Sequence, residues 1–130
     1  MIIEDVLVDK LTKSGLVVPG KTLFKAMMPA EVSIGVMIRP PLTGIKIDPY
    51  ITDWYKTRMQ IITRHIDPAE GEVLANKICD ELIVEAPELH KTHYCKIVRF
   101  FPEALPVQFP RLKGNGIEYS QHFQTVFAVI

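Results

Sequence analysis

The sequence predicts an α+β fold: a mostly antiparallel sheet of four to five strands with two helices packed on one face, in the order α-β-β-β-α-β-β. Three observations predict it. Apolar residues recur at helical spacing near the N-terminus, a helix-start signal opens a second helical stretch at Asp67, and alternation of apolar and polar residues marks strands around it.

Ile2, Ile3, Val6, Leu7 and Leu11 fall on one helical face, so residues 2–13 read as an amphipathic helix that Gly15 stops. Leu16–Val18 is a short apolar stub before a Pro19-Gly20 turn. Leu23–Met28 reads as a strand ended by Pro29, and Val32–Ile38 as a second strand with Gly35 weakening its middle. Arg39-Pro40-Pro41 breaks the pattern, and the stretch to Trp54 reads as a loop or irregular hairpin.

Tyr55–Ile66 is the clearest strand, with Met59 and Ile61 alternating against Arg58 and Gln60. Asp67-Pro68-Ala69-Glu70 then supplies a cap, a proline suited to the first helical position and an acid where a capping box wants one. This helix should run to about Val84. Gly71, Ala75, Ile78, Cys79 and Leu82 share its apolar stripe, with Glu70, Lys77 and Glu81 opposite. Small Gly71 and Ala75 would let it sit close against a sheet. His93–Phe101 and Glu118–Val129 complete the strands. Between them, Pro102–Gly116 is a long connection of the kind that serves as an arm or binding loop.

At 130 residues, 48% of them hydrophobic, the chain reads as one domain, 1–130, able to bury its own core. No apolar run approaches the roughly 20 residues of a membrane helix. The opening MIIEDVLVDK lacks a signal peptide's basic start and apolar core. Cys79 and Cys95 are too few for a disulfide framework, which predicts synthesis in a reducing cytoplasm. The net charge of zero disfavours free nucleic-acid binding. It is unevenly distributed, however: within residues 67–90, Asp67, Glu70, Glu72, Asp80, Glu81, Glu85 and Glu88 stand against the lone base Lys77. Such polarity suits complementary surfaces meeting between subunits, or equally a solvated acidic helix face.

His90, His93 and Cys95 form an H-x-x-H-x-C cluster of good zinc ligands, but no second motif supplies a fourth. Cys95 with His93 or His122 would make a thiol nucleophile pair on paper, although nothing beside Cys95 lowers its pKa. Cys79 lies on the apolar helix stripe. Phosphate-binding glycine motifs, H-E-x-x-H and G-x-S-x-G are absent. The reading is therefore of a non-enzyme without metal or cofactor. Tyr50, Trp54 and Tyr55, with Arg39 and Arg58, could anchor a partner surface or pack as a hinge.

The stretch YKTRMQIITRH running into DPAEGEVLANKICDELI resembles the strand-then-helix core of tail terminator proteins of long-tailed bacteriophages. The resemblance extends to the N-terminal amphipathic helix, the Met28-Pro29 strand end and a last strand with Tyr119 and Phe123. The Arg39-Pro40-Pro41 hairpin and the Pro102–Gly116 connection depart from the pattern and leave the tail type open.

The resemblance implies a structural virion protein, assembled in the host cytoplasm into a ring of usually six copies. Such a ring caps the tail tube, stops its polymerisation and offers a face to the head's neck connector proteins. DNA would pass through the lumen without sequence-specific binding. The expected partners are further copies of the chain, the tail tube protein and the head-neck connector. Candidate interface residues are Arg39, Tyr50, Trp54, Glu70, Glu81, Phe109, Arg111 and Lys113. The acidic helix face would meet a basic neighbour or line the lumen. The 102–116 arm is expected to be mobile in the monomer and ordered in the assembly. Competing readings are a neck or head-completion ring, a small metal- or thiol-dependent enzyme, and an adaptor binding a peptide along a sheet edge.

Overall fold

The computed structural model describes residues 2–41, 44–110 and 116–130. Its elements are α1 (Ile2–Ser14), β1 (Leu23–Lys25), β2 (Gly35–Ile38), β3 (Lys46–Ile47), β4 (Trp54–His65), α2 (Pro68–Leu82), β5 (Glu88–His90), β6 (Cys95–Pro102), β7 (Val107–Pro110) and β8 (Ile117–Val129). A 3-10 turn at Lys91–His93 joins β5 to β6.

β4 and β8 are the spine, antiparallel from Trp54 opposite Ala128 to His65 opposite Ile117. β3 and β2 pair with the two ends of β4's other edge, and β6 and β7 with the two ends of β8's. β1 and β5 complete the path β1-β2-β4-β8-β6-β5. β1 runs parallel to β2, so the eight-stranded sheet is mixed.

Alternation sorts the two faces. Tyr55, Met59 and Ile61 of β4 point to the helix side with Phe123 and Phe127 of β8, where they join the buried stripes of both helices in one core. The Phe100 and Phe123 rings stack there at 4.9 Å. Ile3, Val6, Leu7 and Leu11 of α1 are fully buried, and Gly15 closes the helix at φ +78°. The predicted stripe of α2 is buried residue for residue: Gly71, Ala75, Ile78, Cys79 and Leu82. The Asp67 carboxylate accepts from the Ala69 N–H at 3.0 Å. The reciprocal half of the capping box differs from expectation. The Asp67 N–H donates to His65 Nδ1 at 2.9 Å, and Glu70 lies instead 3.5 Å from His65 Nε2.

The sheet is larger than predicted, and its strands begin and end at other residues. The first predicted strand ends at Lys25 because Ala26 takes φ +67°. The second begins at Gly35, where a Cβ would come within 2.8 Å of the Met28 sulfur; glycine opens this strand rather than weakening its middle. Residues 44–54 contain β3, which pairs with the start of β4. A further difference lies in the long connection, which contains β7, an edge strand with Pro110 at its end, paired with residues 117–120 of β8. This part of the expected mobile arm is therefore tied to its own domain. β5 is too short to carry a periodic signal.

Candidate assembly surfaces

On the face turned from the helices the sheet is basic. Lys46 stands opposite Lys56, Lys56 opposite Val126, and Val126 opposite Arg99, a row crossing four strands. Lys96 lies on the same face, opposite Ala128, and all these cations are exposed. Arg58 donates to Glu103 at 2.8 Å, and this bond holds the Glu103 carboxyl below its ordinary pKa. The Arg99 guanidinium lies 4.6 Å from the centre of the Phe101 ring. Lys46, Lys56, Arg58, Phe101, Glu103 and Gln124 border a shallow depression of ≈ 330 Å³.

The exposed side of α2, beyond the inner face of the sheet, is acidic. With its apolar stripe spent on the core, α2 exposes Glu70, Glu72, Asp80 and Glu81, with Lys77 as its only base. Its last turn contains no basic residue.

Two projections carry exposed apolar side chains. In the hairpin between β3 and β4, Asp48 Oδ1 accepts from the Tyr50 and Ile51 N–H groups, each at 2.8 Å. Those donors hold the Asp48 carboxyl below its usual range. The turn they fix presents Tyr50, 94% exposed, beside exposed Ile47 and Ile51. The second projection is β7 and the turn before it, with Leu105, Val107 and Phe109 exposed.

The candidate interface residues do not form one patch. Tyr50 and half-buried Trp54 lie near one end of the β4–β8 ladder, and Phe109, opposite Glu118, near the other. Arg39 follows β2 and donates to Gln60 Oε1 at 3.2 Å. Glu70 and Glu81 sit on the exposed side of α2, in its first and last turns. Arg111 and Lys113 lie outside the described residues.

Sequence reasoning missed the structural role of Arg64, which is only 8% exposed. Its guanidinium donates to Glu118 at 3.0 Å and to the carbonyls of Pro29 and Val32 at 2.8 and 3.0 Å, fastening the segment between β1 and β2 to the sheet. A basic residue near the end of the strand, after Ile61, Ile62 and Thr63, was the available signal.

A family profile described as "Bacteriophage tail terminator protein" matches residues 10–129. The chain belongs to the bacteriophage tail terminator family. Among solved structures, a chain of "Virion of native gene transfer agent (GTA) particle" superposes with a TM-score of 0.64 at 15% identity, covering 94% of this chain and 91% of that one. That likeness shows a shared fold. Among curated proteins, none matches.

As a tail terminator family member the chain is a structural protein of the virion. No helix among the described residues is long and apolar enough to cross a membrane. The alternative zinc and thiol readings of His90, His93, Cys95 and His122 are not supported by where these residues lie. His90 Nε2 is 3.1 Å from Glu88, and His93 Nε2 faces Asp9 at 3.9 Å. His93 sits in the 3-10 turn, followed by Tyr94 at φ +51°, so it shares no strand face with Cys95. Cys95 is fully buried on the helix side, and burial pushes its thiol up to about 11. His122 pairs with Gln60 on the other face. No group of three or more metal-ligating side chains occurs among the described residues.

Proposed function

We propose that this protein assembles into a ring, of six copies, that closes the head-proximal end of a tail tube. The ring ends tube polymerisation and offers its other face to a neck connector, while DNA passes through the lumen without sequence-specific contacts. Its partners are other copies of the chain, the tail tube protein and the connector, and no step of this role is catalytic.

The observation that carries this reading is the family match over residues 10–129. The molecule's polarity supports it. A subunit with an acidic side and an opposed basic side is suited to heterologous contacts, which close into a ring when the rotation between neighbours permits. The gene transfer agent virion in which the similar fold occurs supports a place in an assembled particle. Light scattering from purified tail tube protein as it polymerises tests the reading: adding the protein during growth should halt the rise in signal. Continued growth with the protein in excess over tube ends would contradict it.

A further inference from the structure

We propose that the basic outer face of the sheet is the seat for the acidic end of α2 from a second copy of this chain. The inference rests on the ring reading above and names the surfaces that meet.

Both surfaces hold charge where the local structure disfavours it. Lys46 and Lys56 are direct cross-strand neighbours, and like charges in that position repel. Among the described residues, no carboxylate lies within ion-pair distance of Lys46, Lys56, Lys96 or Arg99, whereas Arg58 beside them has Glu103. On α2, Asp80 and Glu81 occupy the last turn, where the helix dipole disfavours negative charge, and neither has an ion-pair partner among the described residues. Each surface therefore has an electrostatic cost that a partner of opposite sign removes.

The two cannot meet within one copy. The stripe that buries α2 against the inner face of the sheet turns Asp80 and Glu81 away from it, while Lys46 and Lys56 point outward from the opposite face. Acid and base are thus presented on opposed sides, and pairing them requires a neighbour. Repeating that contact adds copies in a single direction, as a heterologous ring needs.

Charge reversal tests this with the full chain. In one variant Lys46→Glu and Lys56→Glu make both surfaces acidic; in another Asp80→Lys and Glu81→Lys make both basic. All four positions are exposed, and lysine suits the end of a helix, so both variants should keep the wild-type circular dichroism spectrum. Assembled mass is read by sedimentation in the presence of tail tubes. Each variant alone should lose assembly, an equimolar mixture of the two should regain it, and so should one chain carrying all four changes. Wild-type protein that does not assemble removes the ring reading and this contact with it. Wild-type assembly unaffected by either reversal overturns the contact alone. Assembly lost in the lysine-to-glutamate variant but restored neither by mixing nor by the fourfold change also overturns it, and assigns the basic face to a different acidic partner.

Discussion

Arg64 and Glu118 face each other across β4 and β8, with Arg64 Nε and Nη2 each 3.0 Å from the same carboxylate oxygen. Their side chains are 10% and 18% exposed. The guanidinium uses its remaining nitrogen for the Pro29 and Val32 carbonyls. One side chain thereby joins the central ladder to the segment between β1 and β2, in a geometry that a planar fork of donors satisfies and an ammonium does not.

Removing that fork should be costly. Arg64→Ala leaves Glu118 without its partner, the Val32 carbonyl without its guanidinium donor and the Pro29 carbonyl with only the Val32 N–H at 3.2 Å, a loss of about 3–5 kcal/mol. Arg64→Lys should recover only part of it. Urea unfolding of the variants checks this, and a loss below about 1 kcal/mol for Arg64→Ala would show that the pair is not structural.

Gly116 should tolerate substitution less well than Gly15. Both have positive φ, +106° and +78°. A Cβ at Gly116 would come within 2.6 Å of the His65 carbonyl oxygen, whereas at Gly15 nothing lies within 4 Å. Gly15→Ala should cost about 1–2 kcal/mol, the backbone penalty alone. Gly116→Ala adds a steric clash against main chain and should lower the thermal midpoint further. Equal shifts would contradict the close approach of β8's start to the end of β4.

Neither cysteine should react in the native protein. The Cys95 thiol, at about 11, is almost wholly protonated at pH 8 and has no exposed surface. Cys79 is 8% exposed, and burial raises its thiol as well. A thiol reagent should therefore label both only at the rate of unfolding. Cys79→Ala should cost roughly 1–2 kcal/mol as a modest core truncation. Rapid labelling of Cys79 would contradict its place on the buried stripe.

Acid should weaken the fold through specific surface pairs. Asp5 accepts from Lys25 at 2.6 Å, which lowers its carboxyl below 3.8, and Arg58 lowers Glu103 below 4.5. A depressed folded-state pKa means stability that is present above the unfolded value and lost as pH falls through the folded one. Lys25 is raised above 10.5, so its share is present below that value and lost at higher pH. Both pairs are partly exposed, and each should contribute less than about 1 kcal/mol. Thermal midpoints should be flat near neutrality and fall below pH 4.5, less steeply in Asp5→Asn, which lacks one of the titrating carboxylates. Identical acid limbs for Asp5→Asn and wild type would remove Asp5 from the account.

What was legible in the sequence had local causes. The α1 and α2 stripes, the Asp67-Pro68 start and the long strands β4 and β8 each follow from spacing or capping within their own segment. The elements missed depend on distant partners. β7 exists because Val107–Pro110 finds the β8 edge, and β5 because Glu88–His90 finds β6. The exposure of Glu70 and Glu81 was legible because a helical wheel places them off the apolar stripe. The Lys46–Lys56–Arg99 row was hidden because its members come from three strands brought into register only by the fold. The burial of Arg64 depends on the carbonyls of Pro29 and Val32, which only the fold brings to it.

The most direct measurement is negative-stain electron microscopy of tail tubes polymerised with the purified protein. A terminator predicts a ring of added density at one end of each tube, never both, because a heterologous interface distinguishes the ends of a polar tube. It also predicts that tubes mixed with the protein stop lengthening while tubes without it continue. Bare ends on tubes that keep growing in excess protein would contradict the account.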